Sequence, residues 1–250
     1  MIRLSGVLCA IGLLLAMGCT TSPSKSLSTP DALKAAEINA QIAVHHLEND
    51  DLALAKEKVD KALEQNPQAV NAHLVAAEVE ARLNNGDAER WHYEQALAQN
   101  PSHSSVLNNY AGYLCRQSQV DEAIEIFERV VADRLYPQPA LVLSNAGRCL
   151  FEADQWDQAR GYWQRAIAEQ ANYPPALFGL AEVELAFGEL NAAQSYFSRY
   201  TALKRESPQQ LLLGYRIAKA SGDVQGRARY RSRLENDFPS SKQAIDINAW

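Results

Sequence analysis

Apolar residues along most of the chain recur at three- and four-residue spacing, in blocks of twelve to fifteen residues separated by short polar turns. In the stretch Leu107, Tyr110, Ala111, Leu114, a turn at Ser118-Gln119, then Ala123, Phe127 and Val130, large residues mark one face of a helix. The small Ala123 marks where a second helix must approach the first closely. Such a period predicts amphipathic helices, and the long Val/Ile/Thr alternation of strands is missing. A single helix pair of this kind cannot bury its apolar face alone and needs neighbours of the same build.

The neighbours are present at a fixed period. Pro67 and Pro101 lie 34 residues apart, as do Ala55, Glu89 and Ala123. Asn66-Pro67 and Asn100-Pro101 end helices, because proline cannot continue one and disfavours helix in its predecessor. This is the length of a tetratricopeptide repeat. The expected fold is all-α, a right-handed superhelix (α-solenoid) of six repeats at about 36–69, 70–103, 104–139, 140–173, 174–207 and 208–241, with a tail at 242–250. Ile42, Ala43 and His46 are expected core in the first repeat. The second is the weakest, with Glu89 at the crossing position and Ala88 one place early. The third carries two extra residues at its end, in Leu135-Tyr136-Pro137-Gln138-Pro139. The arginine-rich second helix of the sixth (Arg227, Arg229, Arg231, Arg233) suits a terminal repeat that faces water.

The N-terminus reads differently. Arg3 precedes an apolar run from Leu4 to Ala16, too short to span a bilayer comfortably, which closes on Leu15-Ala16-Met17-Gly18-Cys19. This resembles a bacterial lipoprotein signal at 1–18, with Cys19 lipidated and 19–35 as a flexible Ser/Thr/Pro linker; an ordinary secretory signal with an incidental Cys19, or a membrane anchor, is the alternative. Ala16 stands where that pattern usually has Leu. Thr20, rather than Asp, after the cysteine implies the outer membrane in such lipoproteins, on the periplasmic face.

Composition narrows the function. A net charge of −6 argues against nucleic acid, which needs a basic stripe. No G-x-S-x-G, Walker glycine loop or H-E-x-x-H is found. Of the five histidines, His46 and His73 fall on core positions, and the adjacent pair His45-His46 points about 100° apart on a helix. No catalytic residue, metal, cofactor or small-molecule substrate is expected. Cys115 and Cys149 fall in the first helices of neighbouring repeats at different repeat positions. Free buried cysteines are the expectation, although an oxidising compartment permits pairing.

Surface remains as the working part. Counting from each repeat start, the first helices should present Leu74 and Glu78, then Asn108, Gly112 and Cys115, then Ser144, Arg148 and Phe151, then Phe178 and Glu182, then Leu212, Arg216 and Lys219 to a concave groove. Apolar anchors with interspersed amides and guanidinium groups suit an extended segment or helix of a partner protein. Asn108 is the most pointed candidate, since an amide binds both the donor and acceptor sides of a peptide. For Asn109 and Asn145, at equivalent repeat positions, two roles fit: ligand contact, or bridging of neighbouring helices.

Several motifs resemble one family. Leu107-Asn108-Asn109-Tyr110 with Gly112, Glu122-Ala123, Leu135-Tyr136-Pro137, Asn145-Ala146-Gly147, Leu211-Leu212-Leu213-Gly214 with Arg216-Ile217-Ala218-Lys219, and Phe238-Pro239 are similar to the PilF/PilW pilotins. These are type IV pilus biogenesis and stability proteins of Gram-negative bacteria. The resemblance implies a non-enzymatic outer-membrane lipoprotein that binds the pilus secretin subunit and promotes its localisation and multimer assembly. A repeat-based periplasmic adaptor for cell-wall enzymes or outer-membrane protein insertion is the alternative that periodicity alone leaves open.

Overall fold

A computed structural model describes residues 29–203 and 206–247. The signal segment, Cys19 and most of the linker therefore lie outside the described residues. Within them the chain forms α1 (Pro30–Glu48), α2 (Leu52–Gln65), α3 (Val70–Arg82), α4 (Gly86–Gln99), α5 (Ser104–Arg116), α6 (Val120–Val131) and α7 (Pro139–Glu152). It continues through α8 (Trp156–Glu169), α9 (Pro174–Ala186), α10 (Leu190–Thr201), α11 (Pro208–Ala220), α12 (Val224–Asp237) and α13 (Lys242–Ile247). Each odd-numbered helix from α1 to α11 packs against the even one that follows, and consecutive pairs stack. This is the α-solenoid that a 34-residue period demands.

Local chemistry sets the helix ends. Thr29, Asp51, His103, Ser207 and Asp223 each accept a hydrogen bond from a backbone N–H in the first turn that follows. Such caps satisfy donors that the helix leaves unpaired. Proline opens α1, α7, α9 and α11, where its missing N–H costs nothing. Inside each pair, one turn residue takes a left-handed backbone: Asp50, Asn84, Ser118, Asp154, Gly188 and Gly222. These positions are 34 residues apart except across the insertion after α6, where the spacing is 36. In the second pair the residue is Asn84 and not Gly86, which instead begins α4.

Expectations at both ends of the array are corrected. Helix α1 begins at Pro30, inside the segment read as linker, because Thr29-Pro30-Asp31 forms a cap, a proline first position and an acidic first turn. Ile42 is exposed, and the core of α1 is Ala36, Ala40, Ala43 and Leu47. The tail contributes α13, whose Ala244 and Ile247 bury against Leu211, Tyr215 and Leu234.

Small residues let the helices approach. The Trp163 indole on α8 lies where a Cβ on Gly147 of α7 or Gly179 of α9 would meet it at 2.7 and 2.2 Å. Its Nε1–H donates to the Ser144 carbonyl at 3.2 Å. One large side chain thereby joins two repeats, and full burial of such a group contributes about 3 kcal/mol. The second repeat holds its crossing differently. Glu89 is buried, and the Arg116 guanidinium from α5 pairs with it. Burial pushes the Glu89 carboxyl up from its ordinary value, and Arg116 opposes that shift.

Candidate protein-binding groove

The first helices of successive repeats share one face, along which three cavities adjoin. The cavity of about 370 Å³ between α5 and α7 is bordered by Asn108, Asn109, Gly112, Cys115, Asn145 and Arg148. A second, about 390 Å³, is lined by Ser144, Asn145, Arg148, Trp163, Phe178 and Tyr200, with Pro174, Pro175, Ser207 and Gln209. The third, about 290 Å³, runs from Arg148 and Phe178 to Glu182, Leu212 and Arg216. Arg148 borders all three and is the centre of the surface.

The cysteine expectation is overturned, because Cys115 and Cys149 form a disulfide with their Cα atoms 5.7 Å apart. They occupy different repeat positions, yet α5 and α7 pack so that these two come face to face within bridging distance. The bond ties the two helices beneath the first cavity, which both cysteines line.

The asparagines form a relay. Asn145 Nδ2 donates to Asn108 Oδ1 at 3.1 Å, and Asn108 Nδ2 donates to Asn109 Oδ1 at 3.0 Å. Asn108 is 5% exposed, with one donor and one acceptor engaged within the protein. Among the described residues the Asn109 amide donor and the Asn145 amide acceptor make no such bond, and both border the cavity. The relay thus bridges α5 and α7 and leaves one hydrogen-bonding group at each end on the cavity wall. Of the two roles, bridging of neighbouring helices is the one the hydrogen bonds carry, through Asn145 on α7 and Asn108 on α5.

Arg148 is held from several sides. Its Nη2 donates to Glu182 at 2.8 Å, and its guanidinium carbon lies 5.8 and 5.5 Å from the ring centres of Phe151 and Trp163. Burial pushes the Glu182 carboxyl up, while the charges of Arg148 and Arg216 and the Arg148 hydrogen bond pull it down. Stacking and ion pairing together fix a side chain that would otherwise be mobile.

The remaining expected groove residues divide by placement. Phe151 packs against Trp156 and Trp163, and Leu74 is half-buried against the core around Ala77 and Tyr93. Lys219 is exposed and borders none of the three cavities. Several contributors are absent from the residues expected from sequence. Arg116 and Glu152 lie one helical turn beyond Gly112 and Arg148 on the same faces, a spacing that could have revealed them. Tyr200 and Ser207 come from the end of α10 and the start of α11, and no first-helix count reaches them.

Comparison with known proteins agrees with this architecture. Tetratricopeptide-repeat models match residues 41–92, 92–125 and 150–214. The type IV pilus assembly protein PilF of Pseudomonas aeruginosa is 30% identical, over 97% of this chain and 96% of its own. The crystal structure of PilW, described as a widely conserved type IV pilus biogenesis factor, superposes with a TM-score of 0.76 at 31% identity, covering 85% of this chain and 98% of that one. A structure of the Pseudomonas aeruginosa PilF gives 0.73 at 26% identity, covering 88% and 99%. Identity at this level along nearly the full length of both chains, on the same stack of helix pairs, makes this chain a member of the PilF/PilW family of tetratricopeptide-repeat proteins.

Proposed function

We propose that the protein acts in type IV pilus biogenesis as a pilotin: a lipoprotein anchored through Cys19 in the outer membrane, facing the periplasm, that binds the pilus secretin subunit and promotes its assembly into multimers. The observation that carries this reading is the continuous first-helix surface from α5 to α11, in a chain related over its length to a pilus assembly protein. Its chemistry is that of a binder. Apolar sockets supply affinity, while the Asn108 relay and the pinned Arg148 supply orientation. A Ser/Thr/Pro-rich linker after Cys19 would give reach, and three acyl chains of a bacterial lipoprotein would anchor stably where one would not.

The test is a deletion strain. Heat-resistant secretin multimers and surface pili should be lost while secretin monomer persists. Normal multimers in that strain would remove the pilotin reading and leave the cell-wall or outer-membrane-assembly adaptor. A Cys19→Ser change should give a folded protein that no longer fractionates with outer membranes. Continued fractionation there would show that the lipid is not what places it.

A further inference from the structure

The cavity of about 390 Å³ between α7, α9 and the start of α11 differs from its neighbours in having aromatic walls and a single charged residue on its lining. Trp163, Phe178 and Tyr200 with Pro174-Pro175 make an apolar socket. Phe178 and Tyr200 meet edge to face at 5.1 Å between ring centres. A partner's aromatic side chain would gain both burial and ring contact there. The one charge is Arg148, pinned by Glu182 through Nη2 and by two rings. Its Nε and Nη1 groups donate no hydrogen bond among the described residues. A guanidinium fixed in place with donors still open is preorganised for a carboxylate. Arg216, which borders the adjoining cavity with Arg148, is exposed and makes no hydrogen bond or ion pair among the described residues. Glu152 borders that cavity too, which disfavours a run of acids and favours a single one.

We propose that this socket reads an extended segment of the pilus partner in which an aromatic residue stands beside one Asp or Glu. The ring enters the socket beside the Phe178–Tyr200 pair, and the side-chain carboxylate takes the open donors of Arg148. This rests on the binding role proposed above and names the part of the partner that is gripped.

The test uses the full chain purified in detergent and a fluorescein-labelled, C-terminally amidated octapeptide of Ser and Gly with Phe-Asp at its centre. Fluorescence anisotropy should show saturable binding, weakened roughly tenfold when Asn replaces the Asp, the size of one charge-assisted hydrogen bond. Ala in place of the Phe should weaken it at least as much. Arg148→Gln should erase the preference for Asp over Asn, and Phe178→Ala the preference for Phe over Ala, with helical circular dichroism unchanged. Arg216→Gln, outside the core, should weaken Asp-peptide binding if R148Q disturbs the fold. Equal binding of the Asp and Asn peptides, or no saturable binding, overturns the proposal. So does equal binding by a peptide lacking the Asp but carrying a free C-terminal carboxylate. Lost secretin multimers in the deletion strain alongside any of these results would sink this inference alone, whereas normal multimers would sink the reading beneath it.

Discussion

Between α3 and α4 the second repeat buries His73, Glu80 and Glu89, whereas between α7, α8 and α9 the chain buries Trp163 among Leu143, Leu150, Ala166 and Leu180. The two regions share one backbone plan and solve its close approach by opposite chemistry. In the second repeat every buried charge or ring nitrogen must find a partner. His73 lies 3.0 Å from both the Pro67 carbonyl and His92, Glu80 accepts from Asn85 and pairs with Lys56, and Glu89 pairs with Arg116. Where the fourth repeat meets the fifth, two glycines receive one indole. The difference decides which part of the solenoid responds to pH. An apolar interlock holds its stability at any pH, while a network of titrating groups does not. The groove's pinned Arg148 stands on the apolar region, where a binding site gains from a fixed support.

The largest effect should come from removing that interlock. Trp163→Ala should cost about 3–5 kcal/mol by urea denaturation, the sum of lost burial and a cavity facing two glycines. A change near zero would mean that the slot is not what joins the repeats. Opening the Cys115–Cys149 bridge, by reductant or by a double Ser substitution, should cost about 4 kcal/mol for a closed loop of 34 residues. Gly179→Ala should cost about 1–3 kcal/mol through overpacking against Trp163. Adding Trp163→Phe should recover part of that loss, and strict additivity of the two changes would argue against a shared slot.

The smallest effect is the one that sharpens the contrast. Burial, and then the neighbouring His73, push the His92 imidazole down from 6.5 to about 4. Its folded value is below its unfolded one, so the neutral ring contributes stability above pH 6.5 that is lost as pH falls toward 4. Glu89 acts in the opposite sense, since a raised carboxyl contributes stability that grows as pH falls through its folded value. His92→Gln should therefore flatten the decline in urea midpoint between pH 7.5 and pH 5. An unchanged slope would remove this histidine pair as a source of acid sensitivity.

Much of this architecture is legible in the chain. The 34-residue period, the turns and the two-residue insertion follow from prolines, small residues and apolar spacing, because those features act locally and repeat. The start of α1 was legible too, in Thr29-Pro30-Asp31, but the Ser/Thr/Pro composition before it masked the cap. What was not legible depends on how neighbouring repeats are offset. The disulfide needs position twelve of one repeat to face position ten of the next. The Trp163 slot needs glycines on two different helices, and the pairing of Glu89 needs an arginine 27 residues away. The repeat register turns Asn108 toward a ligand, whereas its neighbours make it the buried middle of a relay.

The central claim is that the first-helix face grips the pilus partner. It is tested most directly by in-cell photo-crosslinking from Asn109, at the groove end of the relay, against Gln164, exposed on α8. An adduct containing the secretin subunit, identified by mass, is expected from position 109 and none from position 164. The same adduct from 164 alone, or from neither position in cells that assemble secretin multimers, would contradict it.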